Sequence, residues 1–491
     1  MGHVLEKVLA DSCARWLRLR GDQVRFQTGT DEHGIKIQQT AAKAGLTPKQ
    51  LVDQNVRLFE ELYTRLNISY DDFVRTSDQE RHWPTVRALW QKIAAAGDLE
   101  KRTYAGLYCS GCERFITEKD LVDGKCEIHL REPEKVSEEN WFFLLSKYED
   151  WLKEILTKGG YRIIPEFRAP ETMQLIEQGL EDVSFSRPKT SMSWGVPVPG
   201  EEDTQTMYVW CDALTNYIST LGLLTEKAQD EWWSGSTVTH VIGKDIARFH
   251  ALIWPAMLKS GGLPVPPPHQ LLIHGFLTSE GQKMSKSLGN VVVPADAIAK
   301  YGVDPLRFYL SHEIPVGNDG DFSWKRFGEV YDAILRNQLG NLLNRVLVLL
   351  TKDGTPLHLP AGSDLQEAVA ETWQIYRTKN DQFETQAALE ATVGLIRTLN
   401  LKMQECQPWT LKGDERCDTL SAFAEALRHV SLMLLPFMPE TAQKIATQLG
   451  LPYAERMLEK SFVLEGLTEW GALADWKAIG TPGILFPKIE G

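Results

Sequence analysis

Gly281–Asn290 reads GQKMSKSLGN and follows Leu271–Phe276, LLIHGF, an apolar run that reads as a strand. Glycines flank the loop, and Lys283 and Lys286 stand three apart with Ser285 between them. By composition alone such a loop is a solvated surface turn. After a strand of a parallel sheet it reads differently, because doubly wound folds bind ligands outside the carboxyl ends of their strands. Two ammonium groups at that edge suit a triphosphate whose charge shifts during reaction.

Working outward, residues 237–242 read as a strand and 245–258 as a helix, which makes Leu271–Phe276 the second strand of a right-handed parallel unit. The start of the chain repeats the theme. Leu5, Val8, Leu9, Cys13, Trp16, Leu17 and Leu19 fall at helical spacing, and Gly21 is placed to end the helix. Val24, Phe26 and Thr28 then alternate as a short strand ending in the polar turn TGTDEHG, Thr28–Gly34. This is helix–strand–loop, the latter part of a unit whose first strand would lie upstream. Residues 96–206 hold a cysteine cluster, many turns and short strands, as an inserted domain would. From residue 323 the pattern is helical, as in AILRNQLGNLLNRVLVLL, and 381–411 and 419–449 continue as long helices with Gly450 as a stop. The expected division is 1–95 and 207–322 for the two halves of a Rossmann-type parallel sheet, 96–206 for the insertion and 323–491 for an all-α bundle.

The apolar fraction of 43% is ordinary for a globular protein. No run is long enough to span a bilayer, and no apolar leader opens the chain. The net charge of −13 argues only weakly against a nucleic-acid partner, since RNA binding needs a local basic face. Three of the seven cysteines crowd together, which suits a reducing compartment and a metal site better than a disulfide framework. Cys109-x-x-Cys112 and Cys126-x-x-His129 place two ligand pairs on tight turns separated by a short hairpin, the spacing of a tetrahedral Zn²⁺ site. The competing reading is two coincidental pairs in a small-residue loop. Four protein ligands close the site, so one structural zinc per chain is expected.

The loop at Gly281–Asn290 carries the KMSKS signature of class I aminoacyl-tRNA synthetases, and Gly2-His3 matches the last two residues of their HIGH signature. Between and beyond them stand TGTDEHG, the cysteine cluster, DVSFSR, WGVPVP, YVWCDA, GKDIARFH and a helical half ending LFPKIE. In order and spacing the chain resembles the methionyl-tRNA synthetases along nearly its whole length. The resemblance implies activation of methionine with ATP and Mg²⁺ to methionyl-adenylate and pyrophosphate, then transfer to the terminal adenosine of methionine tRNA.

The same resemblance implies roles for residues at matching positions. His3 and Gly2 meet ATP phosphates at a helix N-terminus, where exposed N–H groups favour an anion. Lys283, Ser285 and Lys286 stabilise the transferring phosphates. Gly243 and Asp245 lie at the nucleotide, with Lys244 between them. Asp31 orients the amino acid, and Trp210, Ala213, Tyr217, Ile246 and His250 enclose the methionine side chain, a polarizable thioether suited to aromatic walls. A lone histidine is more often a structural hydrogen-bonder, yet this setting favours a pocket role for His250. Asn341 and Arg345 share one helix face and, with Trp409 of the Pro408-Trp409 pair, match the anticodon readers. A Trp in a helical bundle is more often core. Lys325, Arg326, Arg336, Arg345 and Lys352 outnumber Glu329 and Asp332, giving a basic stripe for RNA.

The insertion is too short for the editing domain of the valine, isoleucine and leucine enzymes, and no dimerisation module follows LFPKIE. A monomeric cytoplasmic ligase of protein biosynthesis is expected. The alternatives are a tRNA-binding fragment with impaired catalysis and another class I synthetase, cysteinyl being nearest in size. If the signature here reads His-Met-Gly-His, Met1 is an internal residue. The expectation is then an upstream strand and turn. The chain as written would be poorly soluble and inactive, and the extended form would activate methionine.

Overall fold

The computed structural model describes residues 1–109, 114–116, 121–127, 131–265, 269–284, 289–352, 357, 363–473, 476 and 479–489, without the side chains of Tyr104, Arg114, Phe115 and Lys283. These form two compact units. One is Met1–Val24 with Tyr63–Ser69 and His274–Gly491; the other is Arg25–Leu62 with Tyr70–Ile273. Among the described residues, no helix is long and apolar enough to cross a membrane.

The first unit opens with helix α1, Gly2–Arg20, which ends where expected: Gly21 takes φ 102°, a left-handed value that suits glycine. The rest is mostly helical. Val303–Glu313 precedes a continuous helical run from Trp324 to Lys352, whose middle, Tyr331–Gly340, is π-helical. Asp364–Asp381, Thr385–Cys406, Gly413–Leu434 and Pro439–Gln448 complete the bundle. The range 381–411 holds one helix, Thr385–Cys406, entered through a turn at 382–384 where Phe383 takes φ 61°. The range 419–449 is broken at 435–438, in the run LPFMP, whose prolines lack the N–H that an α-helix needs.

The second unit is α/β. Strand β1, Gln27–Thr30, pairs in parallel with β2, Asp72–Arg75. At their contact a Cβ on Gly29 would stand 2.0 Å from the Val74 carbonyl oxygen, so only glycine fits. Strands β3 (Tyr161–Ile164), β4 (Val238–Gly243) and β5 (His269–His274) form another sheet in the order β4-β5-β3, with β5 and β3 parallel. Among the described residues no strand joins β1 to β4, so the parallel strands of this unit form two pieces. Strand β3 comes from within 96–206, the range read as an insertion. The remainder of that range is built on an antiparallel pair, Leu99–Cys109 against Glu134–Phe143.

A fully buried ion pair pins α1 in the first unit. Asp11, on α1, and Arg307, on Val303–Glu313, have no solvent exposure and meet at 2.6 Å. Arg307 also donates to the carbonyls of Leu66, Pro436 and Phe437 at 2.9–3.1 Å. Asp11 accepts from Arg15 at 2.8 Å and from the backbone and hydroxyl of Ser69 at 2.7 and 2.6 Å. Burial raises the Asp11 carboxyl, but Arg15 and Arg307 pull it further down, to about 2. Removing one partner of a buried pair strands the other charge and costs about 3–5 kcal/mol. Arg307→Met should therefore lower the urea midpoint of the full-length protein by that equivalent. An unchanged midpoint contradicts this account.

Candidate active site

The turn after β1 presents Asp31 to solvent while burying its neighbours Glu32 and His33. Glu32 is locked by Arg75, at 2.9 and 3.0 Å, and by the Thr30 hydroxyl at 2.6 Å; its backbone N–H donates to Thr76 Oγ1 at 2.9 Å. Asp31 is thus an exposed carboxylate on a rigid turn.

Trp210 and Ala213 lie on the helix Val209–Leu214, and Tyr217 on the short helix Asn216–Ser219 that follows. Across from them, β4 ends at Gly243, and the chain turns through Lys244–Ile246 into the helical run that carries His250. The structure brings Trp210, Tyr217, Ile246 and His250 together. His250 Nδ1 is 3.0 Å from the Ile246 carbonyl, and His250 Nε2 is 2.7 Å from the Tyr217 hydroxyl. A carbonyl only accepts, so Nδ1 carries the hydrogen, Nε2 accepts, and Tyr217 donates. Trp210 stacks on Phe249 at 3.9 Å between ring centroids and stands edge-on to His250 at 6.3 Å.

The backbone at His250 is π-helical over Phe249–Ile253, and the sequence supplies the cause. The Trp254 N–H bonds the Phe249 carbonyl, and Pro255 has no N–H to offer. The Tyr161 hydroxyl of β3 donates to the His250 carbonyl at this point. Below this pair lies a column of buried rings. His269 stacks between Tyr161 at 4.4 Å and His240 at 4.7 Å, and His240 meets Tyr217 edge-on at 4.1 Å. Burial, with His250 nearby, holds His269 down at about 3, and burial with His269 and His250 holds His240 well below its ordinary value. Both ring nitrogens of His269 and Nε2 of His240 are buried with no hydrogen-bond partner among the described residues. Sequence reasoning missed Tyr161, His240 and His269. The one available signal was Pro255 inside a helical pattern.

In the first unit, His3 lies exposed in the first turn of α1. One turn on, Glu6 pairs with Lys7 and stands 3.4 Å from His274 Nε2. Burial raises the Glu6 carboxyl, but Lys7 and His274 pull it well below the usual carboxylate range. Strand Leu277–Ser279 turns back on Gln282–Lys283 through Glu280 and Gly281, both left-handed, a tight hairpin that launches the lysine loop. Asp321 accepts from Gly281 N at 2.8 Å and from Thr278 Oγ1 at 2.6 Å and holds the hairpin. The Lys283 side chain, Ser285 and Lys286 lie outside the described residues. In the bundle, the Arg345 guanidinium stands 5.2 Å from the Trp409 ring, and Asn341 is exposed one turn before it. The expected basic stripe is largely compensated. Arg326 pairs with Glu313 at 2.6 Å and Arg336 with Asp332 at 2.6 Å, an outcome the local count missed because Glu313 lies on another helix.

Cys109 ends its strand and Cys126 sits in a hairpin turned by Asp123 and Gly124, both left-handed. Both sulfurs are buried in one small cluster with Ile116, which fits two thiolate ligands on separate turns. Cys112 and His129 lie outside the described residues. Among those described, no group of three or more His, Cys, Asp or Glu is arranged to hold a metal ion.

The fold and these residues define a class I aminoacyl-tRNA synthetase. The family model for class I tRNA synthetases (M) matches residues 1–128 and 116–347. A methionine–tRNA ligase of Caldanaerobacter subterraneus subsp. tengcongensis is 39% identical over all of this chain and 76% of its own length. One from Brucella suis is 39% identical over 93% of this chain and 90% of its own. A methionyl-tRNA synthetase structure of Mycobacterium tuberculosis in complex with methionyl-adenylate superposes with a TM-score of 0.88 at 34% identity, covering 99% of this chain and 96% of that one. The chain belongs to the methionyl-tRNA synthetases. These relatives favour neither a cysteinyl enzyme nor a non-catalytic remnant.

The ring column makes a pH prediction. The folded value of His269 lies below the ordinary 6.5, so the unfolded chain binds the proton first. Stability contributed by the neutral ring is complete above about pH 6.5 and is lost as pH falls toward about 3, at about 1.4 kcal/mol per unit per histidine. His269→Phe keeps the stack and removes this titration. Its urea midpoint should fall less steeply between pH 6.5 and 4 than that of the parent. Parallel slopes would contradict the prediction.

Proposed function

We propose that this methionine–tRNA ligase reads its amino acid with Asp31, Trp210, Ala213, Tyr217, Ile246 and His250. The hydrogen-bond chain from Tyr217 through His250 to the Ile246 carbonyl carries this reading. It commits the Tyr217 hydroxyl hydrogen to His250 and the His250 ring hydrogen to the Ile246 carbonyl, and the aromatic faces around them suit a thioether. The exposed Asp31 carboxylate takes the ammonium group. The substrate carboxylate then attacks the α-phosphorus of ATP, and pyrophosphate leaves. His3, Gly2 and the N-terminal end of α1 hold the phosphates with Lys283, Ser285 and Lys286, and stabilise the charge that develops on the leaving group. Gly243 and Asp245, at the carboxyl end of β4, face the nucleoside. Mg²⁺ bound with ATP supplies further neutralisation of the phosphates.

In the second step a hydroxyl of the terminal adenosine attacks the activated carbonyl and AMP leaves. Asn341, Arg345 and Trp409 select the tRNA. Trp409 is 41% exposed, with Arg345 over its ring, and its exposed surface suits stacking on a base. Cys109, Cys112, Cys126 and His129 would hold a structural zinc. The cysteine usage supports a reducing compartment such as the cytoplasm, and the family supports methionine, ATP and tRNA as partners.

ATP–pyrophosphate exchange by the full-length protein, run with each amino acid in turn, tests the amino-acid assignment. Exchange is expected with methionine, and exchange with cysteine instead would overturn it. Base stacking is worth about 1–3 kcal/mol, so Trp409→Ala should cut kcat/KM for tRNA by roughly 5- to 150-fold while exchange is unchanged. Equal loss in both assays would contradict the anticodon role. Elemental analysis should find one zinc per chain, and Cys126→Ala should lower that content; a zinc-free parent rules the site out.

A further inference from the structure

The histidine two places after Asp31 has no part in the reading so far. His33 is 3% exposed, and its Nδ1 lies 2.6 Å from Asp212 Oδ2. His82 Nε2 lies 3.0 Å from the other carboxylate oxygen, and His82 Nδ1 meets the Ser219 hydroxyl at 2.8 Å. Asp212 and His82 are fully buried, and Ser219 is nearly so. Burial alone would raise the Asp212 carboxyl; His33 and His82 pull it below its ordinary value. A carboxylate only accepts, so His33 Nδ1 and His82 Nε2 each turn a hydrogen toward it.

The position of Asp212 gives this network a purpose. It stands between Trp210 and Ala213 on one short helix, and Ser219 lies two residues after Tyr217. His33 stands two residues after Asp31, in a turn that is itself immobile. Trp194 Nε1 donates to the Glu32 carbonyl at 2.6 Å, Gly34 N donates back to the Trp194 carbonyl at 3.3 Å, and the Trp194 ring meets His33 edge-on at 5.4 Å. The carboxylate therefore ties the turn bearing Asp31 to the helices bearing Trp210, Ala213 and Tyr217.

We propose that Asp212, held by His33 and His82, is a positioning residue for amino-acid recognition, fixing the distance between the group that takes the ammonium end and the wall that takes the side chain. Both ends of one small molecule are then read together, and a misplacement of about 1 Å between them can cost on the order of 100-fold. The proposal rests on the methionine-pocket reading above.

The test is ATP–pyrophosphate exchange by the full-length protein, with KM measured for methionine and for ATP. Asp212→Asn keeps the shape but turns an amide hydrogen toward a histidine hydrogen, and His33→Leu removes the inner bond. Both should raise KM for methionine at least tenfold or so and leave KM for ATP within about twofold. His33→Asn keeps an N–H near the Nδ1 position and should restore KM for methionine to near the parent value. Ser219→Ala, which loses only the outer bond, should raise it by a few fold without unfolding the protein. The proposal is overturned if His33→Asn is as impaired as His33→Leu, if the two KM values rise together, or if Ser219→Ala changes nothing. Trp210→Ala separates the two readings. If it leaves KM for methionine unchanged, the pocket reading itself fails. If it raises KM while Asp212→Asn and His33→Leu do not, only the positioning proposal fails.

Discussion

The buried charge pair of Asp11 with Arg307 sets the arrangement of α1 in the first unit. Neither side chain touches solvent, so the pair persists only because nearly every lone pair and N–H finds a partner. Those partners lie far apart in sequence: Leu66 and Ser69 from the segment Tyr63–Ser69, Pro436 and Phe437 from the break between two bundle helices. One guanidinium thereby fixes α1, whose first turn carries His3, against the helix Val303–Glu313 and a turn of the bundle. The bend at 435–438 also gains a role. Its prolines end a helix and leave carbonyls free to receive Arg307.

The same device recurs in the second unit. Glu32 is clamped by Arg75, and Asp212 by two histidines. In the bundle, Glu425 pairs with Arg428 at 2.6 Å and stands 3.3 Å from His429. Glu32 and Asp212 join separate elements directly, while the Glu425–Arg428 pair lies on one helix and holds the segment beyond it, through Arg428 to the Leu467 and Glu469 carbonyls and Gly471 N to Glu425. Such pairs add little net stability over apolar replacements, but they penalise wrong arrangements heavily, because each misplacement strands a charge. A protein that must hold an amino acid, a nucleotide and an RNA in register gains from that penalty.

The sequence was legible where the chemistry was local. Gly21 and Gly450 end helices as read, the run 237–258 gives β4 and its helix, and Asn341 and Arg345 share a helix. Tyr217 and His250 do meet. What was not legible depends on distant partners. Nothing in periodicity tells that Tyr161 will cap the His250 carbonyl, that Glu313 will neutralise Arg326, or that Asp212 will choose His33 and His82. Strand β3 was hidden for a related reason: four residues in a turn-rich segment carry little pattern, and only pairing with β5 makes them part of the parallel sheet. The helix break at 435–438 was readable in principle from its two prolines.

The central claim is that Tyr217, with its hydroxyl committed to His250, forms part of the methionine site. Calorimetric titration of methionine into the full-length protein and its Tyr217→Phe variant tests this most directly. Leaving a buried hydrogen-bonding group unsatisfied costs about 1–3 kcal/mol, so the variant should bind methionine roughly 5- to 150-fold more weakly. Equal affinity in the two proteins would contradict the account.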